Sequence, residues 1–315
     1  MGAAMAPERT TPARRPVHGW VVLDKPAGLS SAKAVAAVRR IFAAEKAGHA
    51  GTLDPLATGV LPIALGEATK AVAYLTEAAK SYRFTVAWGE ARDTDDAAGK
   101  VVATSPVRPT ADAIRAALPA FLGAIDQVPP VYSALKVGGR RAYALARADR
   151  PPVLAARPVR VDRLALAAIP DPDHATFEVD CGKGFYIRSL ARDLAVALGT
   201  VGHVAELIRT AVGPFTLEGA ISLAKLDLLG HSAAGSEYLF PVETALDDIP
   251  ALALTESEAD RLKCGQPIPI PRSADREAGR IFAEGAVVCA TAGGKVVAFT
   301  RVDGDLVRPV RVLNL

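Results

Sequence analysis

The chain has 315 residues, half of them hydrophobic, enough for a sizeable core and, since single cores stop growing near about 250–300 residues, for a second domain. That composition excludes global disorder, and 37 Lys and Arg against 34 Asp and Glu, a formal charge of +3, exclude a uniformly basic protein. Three widely separated cysteines, Cys181, Cys264 and Cys289, form neither a CxxC pair nor a Cys/His cluster, which argues against structural zinc and a disulfide framework and for a reducing compartment, the cytoplasm.

Residues 1–17 hold no apolar run that could serve as a signal peptide, and Ala6 stands where myristoylation needs Ser or Thr, so they are expected to be a disordered leader. No segment approaches the roughly 18 apolar residues of a membrane span, and no membrane partner is expected. Residues 19–23 read as a short buried strand, and Ser30 or Ser31 caps a helix whose Val35, Val38 and Phe42 share a face. The run Gly48–Gly59, GHAGTLDPLATG, follows. Pro55 pushes Asp54 out of the helical region, and Gly48, Gly51 and Gly59 permit backbone shapes that a β-carbon forbids, so one carboxylate sits in a fixed turn. An Asp-Pro turn whose side chain merely bonds local amides would give the same dipeptide.

Glu67–Ala79 reads as helix, and Tyr82, Phe84, Val86 and Trp88 alternate with polar or small neighbours as a half-buried strand. The acidic EARDTDDAAG (90–99) reads as a hairpin or surface loop; it lacks calcium-loop spacing and is assigned no chemistry. Thr110–Leu122 reads as helix. Between Val131 and Arg163 eight basic residues face two acidic ones, a local excess of six that suits phosphate contact, though a solvated helix face has the same look. His174–Cys181 alternates as a strand. Ile187, Leu190, Leu194 and Leu198 then form a helical stripe ended by Gly199, which puts Arg188 at a strand-to-helix junction. Pro241 and Pro250 bracket a boundary, beyond which IFAEGAVVCATA and KVVAFTRV flank Gly293-Gly294 as a β-hairpin.

Five of these segments, in order, resemble the TruB family of bacterial tRNA pseudouridine-55 synthases. They are GWVVLDKPAGLSS (19–31), GHAGTLDPLATG (48–59), KSYRFTVAWG (80–89), VPPVYSALKVGGRRAY (128–143) and CGKGFYIRSLARDL (181–194), within a resemblance that covers roughly residues 18 to 215, about two-thirds of the chain. Ala50, where relatives often carry Thr or Gly, is a small departure. The resemblance implies an α+β fold: a pseudouridine-synthase core with a central mixed, mostly antiparallel sheet flanked by helices, and a small β-rich PUA-like domain. It divides the chain into the leader, a catalytic domain over 18–247 with an RNA-gripping arm about 125–160, and the PUA-like domain over 248–315.

The resemblance also implies roles. Asp54 becomes the catalytic carboxylate, Arg188 its counter-charge and Tyr82 the base-stacking aromatic. His49, Tyr186, Leu207, Lys25, Arg140 and Arg141 become substrate contacts, with Leu207 as an apolar wall and His49 touching the RNA loop. The reaction cleaves the glycosidic bond, turns the uracil and rejoins it through carbon five. It needs no redox step or group donor, so no cofactor and no metal are expected. A carboxylate beside the sugar suits it, as in glycosidases. Asp54, with an ordinary pKa of about 3.9, must stay ionised against burial, and an arginine that cannot lose its proton and can form two parallel bonds is the better partner than a lysine. The expected partner is the T-arm of tRNA, with no obligate protein partner and a monomeric chain. Whether Asp54 attacks the ribose, adds to uracil or stabilises a glycal stays open.

Three rivals differ in testable ways. A non-catalytic RNA-binding or RNA-folding protein on the same scaffold has no need of Asp54, Tyr82 and Arg188 together. The catalytic subunit of a guide-RNA-directed synthase needs partner proteins. A glycoside hydrolase wants two carboxylates near the sugar, and beside Asp54 the five segments hold only Asp24 and, at the end of the last, Asp193.

Overall fold

The computed structural model describes residues 14–148, 150–230, 237–246, 248–270 and 282–315. Its first elements are β1 (Gly19–Lys25), α1 (Ser31–Ile41), β2 (Ala47–His49), β3 (Thr58–Leu65), α2 (Val72–Glu77), β4 (Lys80–Trp88), β5 (Glu90–Arg92) and β6 (Val101–Thr104). There follow α3 (Ala111–Ala117), β7 (Gly123–Gln127), β8 (Lys136–Val137), β9 (Arg140–Arg141), α4 (Ala142–Ala146), β10 (Arg157–Asp171) and β11 (His174–Cys181). Next come α5 (Ile187–Ala197), β12 (Gly202–Val212), β13 (Phe215–Thr216), β14 (Ile221–Ser222) and α6 (Leu223–Leu229). The last described elements are β15 (Ala251–Ala253), α7 (Glu256–Lys263), β16 (Ile268–Pro269), β17 (Val287–Ala292), β18 (Lys295–Asp303) and β19 (Leu306–Val312).

Among the described residues one ten-stranded sheet runs β14-β1-β3-β12-β4-β11-β10-β7, with β2 beside β3 and β13 beside β12. Only the β1–β14 and β3–β12 pairs are parallel. The fold is therefore the expected α+β one with a mixed, mostly antiparallel sheet. Strand β12, late in sequence, inserts between β3 and β4, setting Arg209 opposite both Gly59 and Tyr82. That insertion builds the site.

One sheet face packs on α1, α5 and α6 through Val38, Leu61, Phe84, Phe177, Leu190, Leu194 and Leu226, all at most 1% exposed. Each helix has a sequence reason. Ser30 caps α1 by accepting from Lys33 N, and α5 buries Leu190 and Leu194 and stops where Gly199 takes φ 71°. The other face, around Trp20, Val60 and Leu75, meets Val296, Phe299 and Leu313 of the C-terminal domain. There Tyr74 and Phe299 ring centroids lie 4.6 Å apart, and Glu67 Oε2 accepts from Asn314 N at 2.8 Å and from Lys70 Nζ at 2.6 Å. The five-stranded sheet of that domain runs β15-β17-β18-β19-β16, a small PUA-like β-domain. Its Gly293-Gly294 hairpin has φ 55° and 77°, the double left-handed turn that matches strand twist.

Several expectations change in detail. The leader is expected to end at residue 17, but Arg15 already bridges to Ala44; residues 1–13 lie outside the described ones. The helix expected over 67–79 is a 3-10 turn, Gly66–Lys70, followed by the short α2. Gly51 (φ 88°) and Gly59 (φ 94°) do need to be glycine, and a β-carbon on Gly59 would sit 2.2 Å from Arg209 O. Gly48 does not: its backbone is ordinary strand, and a β-carbon there meets nothing closer than 4.0 Å.

The basic segment is no helix face. It is a protrusion whose base is the β7–β10 pair, Gln127 opposite Arg157, and whose tip is the β8–β9 hairpin turned by Gly138 and Gly139, followed by α4. Arg140 and Arg141 lie exposed on β9 and form no ion pair among the described residues. Arg160 and Arg163, counted in the same excess, instead pair with Asp162 and Asp180 along the sheet. The unpaired charge is thus concentrated on the protrusion.

Candidate active site

Asp54 is fixed through its neighbours. Ser31, first residue of α1, donates from Oγ to Leu53 O and accepts from Leu53 N, both at 2.9 Å. Gly28 N donates to Pro55 O at 2.8 Å. Lys25, fully buried, donates from Nζ to Pro26 O (2.9 Å), Leu29 O (2.8 Å) and Pro55 O (3.4 Å). The Asp54 turn is therefore tied on both sides to β1 and α1, and only the carboxylate is free to act. Lys25, expected among the substrate contacts, gives its ammonium to three carbonyls beneath the loop and is not among the cleft-lining residues. Burial brings its pKa down to about 8, against the pull of Asp54.

Facing Asp54 is Arg188, whose Nε lies 2.9 Å from Asp54 Oδ2 and 3.7 Å from Asp96 Oδ2. Its Nη1 donates to Thr94 O at 3.0 Å and its Nη2 to Tyr132 O at 2.9 Å. The guanidinium is only 5% exposed, whereas the Asp54 side chain is 35% exposed, toward the cleft. Burial raises the Asp54 pKa above the ordinary carboxylate value; the Arg188 charge opposes this, Asp96 reinforces it, and Lys25 opposes it weakly. Any ligand seated over the carboxylate would remove its remaining water and push in the same direction.

Asp96 corrects the reading of the 90–99 segment as a loop without chemistry. Its carboxylate is 9% exposed and accepts from Thr94 Oγ1 at 2.7 Å and Ala98 N at 3.0 Å, and its backbone bridges to Val204 of β12. A second carboxylate thus stands at the site. It does not line the cleft, so it buttresses Arg188 rather than offering the exposed acid that a glycosidase pair needs.

The cleft itself encloses about 260 Å³ and is walled by Asp54, Tyr82, Ser133, Tyr186, Leu207 and Arg209, a size at the lower end for small-ligand sites. Tyr82 projects from β4, and burial raises its phenol pKa above the ordinary value, opposed by Arg209. The phenol therefore keeps its proton and offers a ring face rather than a base. Tyr186 caps α5 and is locked by Gln127, which accepts from Tyr186 N at 2.9 Å and donates to Tyr186 O at 3.1 Å. Leu207, 7% exposed, is an apolar wall. His49 lies on β2 and is not among the lining residues; burial, then Arg209, lowers its pKa and keeps it neutral. Arg140 and Arg141 stand on the protrusion, away from the cleft lining.

Arg209 is the residue that sequence reading misses altogether. It is 1% exposed, donates from Nε to Val60 O at 2.7 Å and from Nη2 to Gly51 O at 3.0 Å, and so ties β12 to both ends of the Asp54 loop. Lys80, equally unforeseen, donates to Thr76 O and Ala78 O at 2.8 and 2.6 Å on the cleft wall. Among the described residues no group of three or more His, Cys, Asp or Glu is arranged to hold a metal ion, and no helix is long and apolar enough to cross a membrane. Chemically, the arrangement offers one cleft-facing carboxylate held by a buried guanidinium, beside an aromatic face.

The chain as a whole is similar to known proteins. A profile described as "TruB family pseudouridylate synthase (N terminal domain)" matches residues 39–187, and one described as "tRNA pseudouridylate synthase B C-terminal domain" matches 188–247. In the fold the second stretch is no separate body, since it supplies β12 at the centre of the sheet. The chain is 54% identical over 299 residues to "tRNA pseudouridine synthase B" of Rhodospirillum rubrum, covering 95% of this chain and 97% of the relative. It is 54% identical over 300 residues to the protein of that name in Gluconacetobacter diazotrophicus, covering 95% and 98%. Among solved structures, a Cbf5-Nop10-Gar1 complex matches with TM-score 0.72 and 27% identity over 93% of this chain and 84% of that one. An H/ACA RNP bound to a substrate RNA containing 2'-deoxyuridine matches with TM-score 0.71 and 25% identity over 94% and 85%.

Proposed function

Because the chain belongs to the TruB family of pseudouridylate synthases and is a tRNA pseudouridine synthase, an isomerase, we propose that it converts the T-loop uridine at position 55, with Asp54 as the reacting carboxylate. The observation that carries this reading is the Asp54–Arg188 pair at 2.9 Å on the floor of a cleft with room for one extruded nucleotide. A uridine inside a folded RNA loop hides its sugar carbon, so the base must leave its stack. Tyr82 receives it on its ring face, a contact worth about 1–3 kcal/mol, while Leu207 and Tyr186 close the sides. Ionised Asp54 then meets the sugar–base linkage as it breaks, Arg188 holds the carboxylate charged and in place, and the uracil turns within the cleft before carbon five bonds to the ribose carbon and gives up its proton, the freed ring nitrogen taking one in its place. His49 contacts the RNA loop at the cleft's margin.

The chain acts alone, as a monomer in the cytoplasm. The 54% relatives carry the name of a tRNA enzyme, whereas the H/ACA RNP and the Cbf5-Nop10-Gar1 complex resemble it at 25–27% identity. Purified chain and unmodified tRNA transcript, with pseudouridine mapped by position, test both parts. Conversion at position 55 without added protein is the expected result; activity only with partner proteins, or at another uridine, refutes it. The asparagine variant at Asp54, assayed for tRNA folding, reveals whether an RNA-folding activity exists apart from the chemistry.

The basic protrusion supplies phosphate contacts. Arg140→Ala/Arg141→Ala is expected to weaken tRNA binding and to flatten the log Kd against log salt slope by about 1 to 2, one released counterion per lost contact. Titrations at two or more salt concentrations measure it, and an unaltered slope removes the hairpin from the RNA interface.

A further inference from the structure

Helix α5 carries two arginines one turn apart, Arg188 and Arg192, and both reach the same two segments. Toward the 93–97 turn, Arg188 Nη1 donates to Thr94 O at 3.0 Å and Arg192 Nη1 to Asp95 Oδ2 at 3.2 Å. Toward the base of the protrusion, Arg188 Nη2 donates to Tyr132 O at 2.9 Å and Arg192 Nη2 to Val128 O at 3.0 Å, where Ser189 Oγ also donates at 2.8 Å. Asp95 stands at φ 59°, one of two non-glycine residues in the left-handed region among the described residues. Backbone in that region is strained and persists only where surrounding contacts hold it. On its other side the turn is held by β12: Val204 N donates to Asp95 O at 3.1 Å and Ala97 N to Val204 O at 2.9 Å.

We propose that the Asp95–Arg192 ion pair is a positioning element of the active site. It holds the 94–96 turn in its left-handed form, so that Thr94 O and the Asp96 carboxylate face Arg188 and fix that guanidinium against Asp54. The pair touches neither the cleft nor the reacting atoms; it acts through Arg188. Arg192 also contacts Asp193 at 2.9 Å, but that pair lies within α5 and holds no part of the turn. The Asp95 side chain is 17% exposed and Arg192 30%, so the pair is shielded enough from solvent to keep a fixed geometry.

The inference rests on Asp54 and Arg188 being the reacting pair. The test compares wild type, Arg192→Gln, Asp95→Asn, the double variant and Asp54→Asn under single-turnover conditions, with enzyme in saturating excess over limiting tRNA transcript. Asparagine tolerates the left-handed region, so Asp95→Asn removes the charge and keeps the backbone. Each of the two single variants is expected to convert about tenfold more slowly, since small misplacements of a reacting group cost this much or more. The tRNA Kd stays within about twofold, and the double variant is no slower than the slower single, as for two ends of one contact. The stoichiometry of tRNA binding counts folded enzyme, so a general folding defect lowers that stoichiometry and, with folded enzyme kept saturating, leaves the rate. Wild-type rates in either single, additive losses in the double, or a loss confined to binding stoichiometry or to Kd overturns the proposal. An active Asp54→Asn protein instead overturns the reacting pair itself, and the two failures are read in separate lanes of the same assay.

Discussion

Asp54→Asn is expected to abolish pseudouridine formation, by at least about a thousandfold in single-turnover rate, as for removal of a central catalytic group, while tRNA affinity and melting temperature stay at or above the wild-type values. Asparagine keeps the shape of the side chain and removes its charge. The loop does not depend on that charge, because Ser31 binds the backbone of Leu53 and Lys25 the carbonyl of Pro55. Arg188 keeps Asp96, Thr94 O and Tyr132 O, so no guanidinium is stranded.

The stability half of the prediction follows from linkage. Burial sets the Asp54 pKa above its ordinary value, so the folded state binds the proton more tightly than the unfolded chain. The ionised group therefore subtracts from stability at neutral pH, and that penalty fades as pH falls through the folded pKa. Neutral asparagine removes the penalty, which is the trade expected where a charge is kept for chemistry. Conversion within tenfold of wild type, or a melting temperature several degrees lower, contradicts this account.

What was legible in the sequence is whatever local chemistry marks. Asp54 stands beside a proline between two glycines that must be glycine, Tyr82 sits in a clean alternation, and Arg188 opens an amphipathic helix; each signal lies within a dozen residues. Asp96 and Arg209 carry no such mark. Asp96 becomes part of the site because its backbone bridges to Val204, more than a hundred residues away. Arg209 does so because β12 inserts between β3 and β4, a parallel pairing that no local pattern announces. Lys25 shows the reverse case. A lysine next to a catalytic loop invites a binding role, yet its carbonyl partners appear only once β1 and the loop are side by side. The basic excess was countable but not divisible, since only the register of β10 on β11 separates Arg163, paired to Asp180, from Arg140 on the hairpin.

The buttressing of Arg188 gives the second large effect. Arg188→Met, which fills similar space without charge, is expected to slow conversion by at least about a hundredfold, as for loss of a preorganised electrostatic partner, and to move the acid limb of the pH–rate profile upward. The groups around the Asp54 carboxylate set the sign. Burial and Asp96 raise its pKa, while Arg188 and, more weakly, Lys25 lower it; Tyr82 and Tyr186, neighbouring phenols with raised pKa values, stay neutral across the acid range. Removing Arg188 deletes the strongest opposing influence and leaves two carboxylates facing each other, so Asp54 holds its proton to higher pH. Since the reaction needs the ionised form, the bend in the profile follows it up. Arg188→Met/Asp96→Asn then removes the repulsion as well, and the bend returns toward the acid side although the plateau stays low, because the guanidinium is still missing. Single-turnover rates across the acid range for the three proteins decide the matter: an unmoved bend in Arg188→Met, or no return in the double variant, means that the charge beside Asp54 does not govern its ionisation.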